Sequence, residues 1–149
     1  MRQSGFTLVE YLIVMILAGI LTSLGMPHIH DAIQKTGVRS ARVAVGTLAA
    51  KARAVAVQRG CRSALHFTSG SDGQAWVTAC TIAGAGLDTL GSVERIASRF
   101  DVVLTASRDS VQYDPRGLGV DYQATMVRLA AGGIQDSLLI NQLGKVVRP

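Results

Sequence analysis

The sequence predicts an α+β protein: a long N-terminal helix, membrane-spanning in its first half, packed on an antiparallel β-sheet domain. Three observations carry this. Residues 6–26 hold a single charge, Glu10, in an otherwise apolar run. Ala41, Val45, Leu48, Ala52 and Val55 then recur at spacings of three and four, one face of a helix. Beyond Gly60 the apolar period becomes two, punctuated by turn residues.

The first element is the apolar run. It would span roughly 31 Å as a helix, close to the ~30 Å hydrocarbon core. A secretory signal is the competing reading. The preceding MRQSG carries one arginine, and the run ends at Gly25-Met26-Pro27 without a small-x-small cleavage site, so a single-pass anchor fits better. Lys/Arg counts set the orientation weakly, with Arg2 on one side and Lys35 on the other. A carboxylate inside a membrane helix costs roughly 2.5–3.5 kcal/mol and asks for a partner. A shallow position in the headgroup layer would remove most of that cost.

The second element continues the first. One helix is expected over residues 6–59, stopped by Gly60, with bends at Gly25 and Pro27 and at Gly37. Strands follow at 63–68 and 74–81, joined by Ser69-Gly70-Ser71-Asp72-Gly73. A hairpin centred between Gly70 and Ser71 places Cys61 opposite Cys80, at disulfide distance. Residues 81–92 read as a loop, 93–98 as ambiguous, and 101–106 and 110–113 as strands. Asp114-Pro115-Arg116-Gly117 is a turn. Strands at 124–130, 137–141 and 145–147 complete the set, with turns at Gly132-Gly133 and Leu143-Gly144.

Charge and composition exclude more than they assign. The chain of 149 residues carries a net +5. No acidic residue lies between Asp31 and Asp72, where Lys35, Arg39, Arg42, Lys51, Arg53, Arg59 and Arg62 cluster. Such a block is a solvated helix face, or a contact for nucleic acid, anionic lipid or an acidic partner. Two cysteines are too few for a structural zinc site, and His28-x-His30 lacks a third ligand. The motifs of zincins, α/β-hydrolases and P-loop enzymes are absent from the sequence. No metal, no cofactor and no catalytic residue is expected.

Gly5-Phe6-Thr7-Leu8-Val9-Glu10, directly before a span-length helix, resembles the type IV prepilin signature of pilins and type II secretion pseudopilins. The resemblance implies cleavage between Gly5 and Phe6 by a prepilin peptidase and N-methylation of Phe6. It implies that Glu10 is the assembly carboxylate, pairing with the N-terminal amine of a neighbouring subunit, and that Pro27 kinks the helix. Tyr11 departs from the usual aliphatic residue. An unpaired charge in low dielectric is costly, so assembly would relieve a penalty that the lone subunit carries.

Three further stretches resemble the GspH/FimT group of minor pseudopilins: Ala56-Val57-Gln58-Arg59-Gly60, Tyr113-Asp114-Pro115-Arg116-Gly117 and Leu139-Ile140-Asn141-Gln142-Leu143-Gly144-Lys145. That group implies two stacked or adjoining sheets after the helix. The expected organisation is a leader at 1–5, a membrane or filament-core helix at 6–26, its amphipathic continuation at 27–60 and a periplasmic β-rich domain at 61–149. The expected function is a low-copy structural subunit of a type II secretion pseudopilus. Its partners would be other pseudopilins or pilins, the peptidase and N-methyltransferase, and the bacterial inner membrane, with the N-terminus cytoplasmic. The alternative is a minor type IV pilin in pilus biogenesis or DNA uptake, with Lys145, Arg148, Arg116 and Arg128 as DNA contacts. The DNA-binding members carry a denser G-R-x-R tail than Gly144-Lys145-Val146-Val147-Arg148, and binding scales with the phosphates neutralised.

Overall fold

The computed structural model describes residues 7–81 and 86–147, and within these the side chains of 24–28 fall outside the description. The chain divides into two compact units, Met1–Ile33 and Gln34–Pro149.

Helix α1 is assigned to Leu8–Arg59. The helix is unbroken across Gly25, Pro27 and Gly37, the positions expected to bend it. The helix ends in a Schellman motif. Cys61 N–H donates to Ala56 O, Gly60 N–H donates to Val57 O, and Gly60 takes φ +61°. The expected stop is therefore the observed one.

In the second unit, α1 turns one face inward. Val38, Ala41, Val45, Leu48, Ala49, Ala52 and Ala56 are buried. Val55, expected on this face, is half-buried, and Ala56 takes the inner position. The face is mostly alanine and valine, so the helix backbone can approach the sheets closely. Gly37 belongs to this logic: a Cβ there would stand 2.6 Å from the Phe100 carbonyl oxygen. Its role is close approach to the backbone of Phe100.

Among the described residues eight strands form two four-stranded antiparallel sheets, as the GspH/FimT resemblance implies. They are β1 Ser63–Thr68, β2 Gln74–Cys80, β3 Leu87–Thr89, β4 Val103–Ala106, β5 Ser110–Tyr113, β6 Thr125–Ala131, β7 Ile134–Ile140 and β8 Val146–Val147. The first sheet runs β3-β2-β1-β5 and the second β4-β6-β7-β8. Gly70 and Leu104 bridge them, with Gly70 N–H donating to Leu104 O at 2.8 Å. Leu65, Phe67 and Val77 from the first sheet meet Leu104, Leu129 and Ile140 from the second in one core with the helix face.

Two expectations are corrected. The stretch 81–92, read as loop, contains β3; it pairs Thr78↔Thr89 and Cys80↔Leu87 at the sheet edge, where three residues suffice. The ambiguous 93–98 resolves into a bridge from Glu94 to Ala75 and a short helix α2, Ile96–Phe100. Buried Ile96 and Ala97 anchor α2, a tertiary cause that local pattern does not display.

Candidate assembly interface and its supporting clasp

The N-terminal site begins at Thr7. Its Oγ1 accepts from the Glu10 N–H at 3.4 Å and its carbonyl accepts from the same N–H at 3.1 Å. Thr7 thus caps α1, and Glu10 lies in the first turn, where the helix dipole favours a carboxylate. Thr-x-x-Glu is a capping-box spacing, a signal the sequence reading passed over. Gly5 and Phe6, the cleavage and methylation calls, lie outside the described residues, as does the Pro27 side chain.

Every large apolar side chain from Leu8 to Leu21 is more than half exposed. A continuous apolar surface of this kind marks a membrane or protein interface. Among the described residues no helix is long and apolar enough to cross a membrane. The span expected at 6–26 falls partly outside them, at Phe6 and at the side chains of 24–26.

The second unit ends in a clasp that joins the three GspH/FimT-like stretches. Tyr113, fully buried on β5, donates its hydroxyl proton to Gly144 O at 3.3 Å. Gly144 has φ +75°, and a Cβ there would stand 2.5 Å from Tyr113 Cε1. Asn141 Oδ1 holds the same turn by accepting from Leu143 N–H and Lys145 N–H. Gly119 packs on this turn, since its Cβ would meet Gln142 O at 2.7 Å. Gly117 abuts Val57 and Arg53 of α1. Burial pushes the Tyr113 hydroxyl up to about 12, opposed by the nearby Arg53 charge. Asp114 holds its turn by accepting from Leu118 N–H and Arg116 N–H, bonds that lower its pKa.

Cys61 and Cys80 are bonded, with their Cα atoms 6.3 Å apart. The expected register is corrected: β1 and β2 pair as Ser63↔Ala79, which sets Cys61 one step off from Cys80. Cys61 lies before β1 and reaches Cys80 diagonally. Arg59 seals the same corner, donating to Cys80 O at 2.6 Å and lying 3.8 Å from Asp88.

Residues 1–26 match the prokaryotic N-terminal methylation motif. No curated protein matches the chain in sequence. Two crystal structures of the type IV minor pilin FimU of Pseudomonas aeruginosa match in fold. One, in space group P21, has TM-score 0.61 and 13% identity over 77% of this chain and 90% of FimU. The other, in P65, has TM-score 0.58 and 14% identity over 74% and 91%. The fold is that of a type IV pilin.

Among the described residues, several cations of the second unit are tied to other elements. Arg42 pairs with Asp136 at 3.1 Å, and Lys51 donates to Leu90 O at 2.8 Å. The basic block therefore ties α1 to both sheets as much as it faces solvent. Arg116 pairs with Asp114 at 3.1 Å, and Lys145 is exposed on the Gly144 turn. The packing of Gly119 on that turn brings these two to one end of the unit. Arg128 stands apart on β6 opposite Ser137, and Arg148 lies outside the described residues. His66 stacks on Trp76 across β1 and β2 at 5.2 Å and bonds Thr78 through Nε2 at 2.9 Å. Burial lowers its pKa. Among the described residues no three His, Cys, Asp or Glu side chains could share a metal ion.

Proposed function

We propose that this chain is a low-copy structural subunit of an envelope filament of the type IV pilus class. The observation that carries it is the unpartnered apolar stretch from Leu8 to Leu21, headed by Glu10 and attached to a pilin-like fold. Cleavage after Gly5 would free an ammonium at Phe6, which is then N-methylated. Glu10 accepts from the corresponding amine of a neighbouring subunit, so that pairing sets the register of helices leaving the bilayer. The first half of the long helix, residues 6–26, sits in the bacterial inner membrane before assembly, and the β-domain faces the periplasm. There the Cys61–Cys80 bond persists.

Of the two machines in this class, a type II secretion pseudopilus is the first reading, and the GspH/FimT-like stretches fit it and a pilus alike. The fold likeness to a minor pilin favours the second reading, pilus biogenesis. A photo-crosslinking residue at position 17, in native membranes, tests both. Capture of secretion pseudopilins supports the first reading, and capture of pilus subunits supports the second. Capture of no filament subunit defeats the proposal.

A further inference from the structure

The outward face of the first sheet is uncharged. Alternation along the strands sends Leu65, Phe67, Val77 and Val111 into the core. The opposite positions of β1, β2 and β5 centre on His66 and Trp76. Around these two lie Thr68, Gln74, Thr78, Ser110 and Gln112, all hydroxyl or carboxamide side chains. Burial lowers the His66 pKa, so its ring is neutral at pH 7. The chain carries a net +5, yet none of that charge stands at an outward position of these three strands. The aromatic pair is fixed in advance. Its rings stack at 5.2 Å with 16° between their planes, and His66 Nε2 bonds Thr78 Oγ1 at 2.9 Å. A platform set before its ligand arrives loses little freedom on binding. The polar groups beside it are unspent. Among the described residues the Trp76 indole N–H and the Gln74 and Gln112 carboxamides have no protein partner, and none of them is a buried orphan.

We infer that this face binds a neutral glycan strand of N-acetylated amino sugars. A sugar ring lies against the Trp76–His66 pair, and Gln74 and Gln112 take its acetamido groups. The charge pattern selects that occupant. Nucleic acid and anionic lipid need cations beneath them, and this face offers none. The core of a protein interface is mostly apolar, whereas here hydroxyls and amides surround one aromatic pair. A saccharide has the matching chemistry: C–H faces for an aromatic ring and hydroxyls for side-chain amides. A carboxamide both donates and accepts, as an acetamido group does. Four strands spaced at ~4.8 Å make the face about 14 Å across, wider than one sugar ring. The inference goes beyond the filament reading and rests on it only for the periplasmic placement, where an envelope filament meets a wall built of such a polymer.

The test uses the full chain in detergent. Trp76 is the only tryptophan, so its emission reports on this face. The N-acetylglucosamine tetramer should shift that emission saturably. Cellotetraose, which lacks the acetamido group, should bind at least about tenfold more weakly. The protein should also sediment with purified cell-wall sacculi. Trp76→Ala should weaken that sedimentation at least about tenfold. Gln112→Ala, at an exposed position, should weaken it about threefold to tenfold. An intact Cys61–Cys80 bond and unchanged protease resistance check that both variants fold. No saturable shift with the tetramer, equal binding of cellotetraose, or undiminished sedimentation of both variants overturns the inference. Capture of a protein subunit by a photo-crosslinking residue at position 74 in native envelopes also overturns it. Crosslinking at position 17 reads the filament separately. If 17 captures filament subunits while the tetramer fails, the glycan face is wrong and the filament reading stands. If the tetramer binds while 17 captures none, the glycan face stands and the filament reading falls.

Discussion

Gly144→Ala should cost far more than its single methyl group suggests. Gly144 holds φ +75°, a conformation that disfavours any side chain by about 1–2 kcal/mol. The new Cβ would also stand 2.5 Å from Tyr113 Cε1 and 3.1 Å from Gly119 N. Neither can yield freely, because Tyr113 is fully buried and Gly119 is seated against Gln142. Overpacking of this kind costs about 1–3 kcal/mol. Together the two give about 2–5 kcal/mol, a large part of a domain stability of about 5–15 kcal/mol. Gly60→Ala is the internal control: φ is +61°, yet nothing lies within 4 Å of its Cβ, so only the backbone cost remains. Urea unfolding of the full chain in detergent, followed by Trp76 fluorescence, reads both variants. With a slope of about 1–3 kcal/mol per molar, Gly144→Ala should lower the midpoint by about 1–2 M and clearly more than Gly60→Ala. Equal midpoints for the two variants would refute the clasp.

Glu10→Ala should leave prepilin cleavage intact and impair incorporation; normal incorporation in envelope fractionation counts against the assembly carboxylate. Replacing Cys61 and Cys80 with Ser opens a loop of sequence separation 19 and should cost about 3 kcal/mol in the chain-entropy model, read as a lowered unfolding midpoint. Tyr113 keeps its proton up to about pH 12 when folded but loses it near pH 10 when unfolded. Its stabilising share is therefore complete below pH 10 and is lost as pH rises through about 12. Tyr113→Phe should flatten that alkaline decline while losing about 1 kcal/mol of hydrogen bonding at neutral pH. If the alternative DNA-binding reading held, a salt titration would give a log–log affinity slope well below zero, and Lys145→Ala would shallow it by about one.

The helix, its stop and the strand set were legible because each rests on local chemistry. A left-handed Gly60, a period of four and three along 41–52, and a switch to period two each act within a few residues. The prepilin-like signature was legible for the same reason, as six contiguous residues. The register of β1 against β2 was misjudged by one position, because a turn of five residues can close in more than one way. Helix α2 and strand β3 were missed, since three to five residues held by long-range partners show little pattern of their own.

What the sequence by itself determined is the division of labour. An uninterrupted apolar stretch with one carboxylate cannot fold on itself, and an alternating half can. Only the tertiary structure decided what the glycines and the basic block are for. Gly37, Gly119 and Gly144 are glycine because another chain segment occupies the space of a Cβ. Arg42 and Arg59 are basic because Asp136 and Asp88 come to lie beside them. Those facts belong to pairs of residues far apart in the chain, and such pairs exist only after the two sheets and the helix have met around one core.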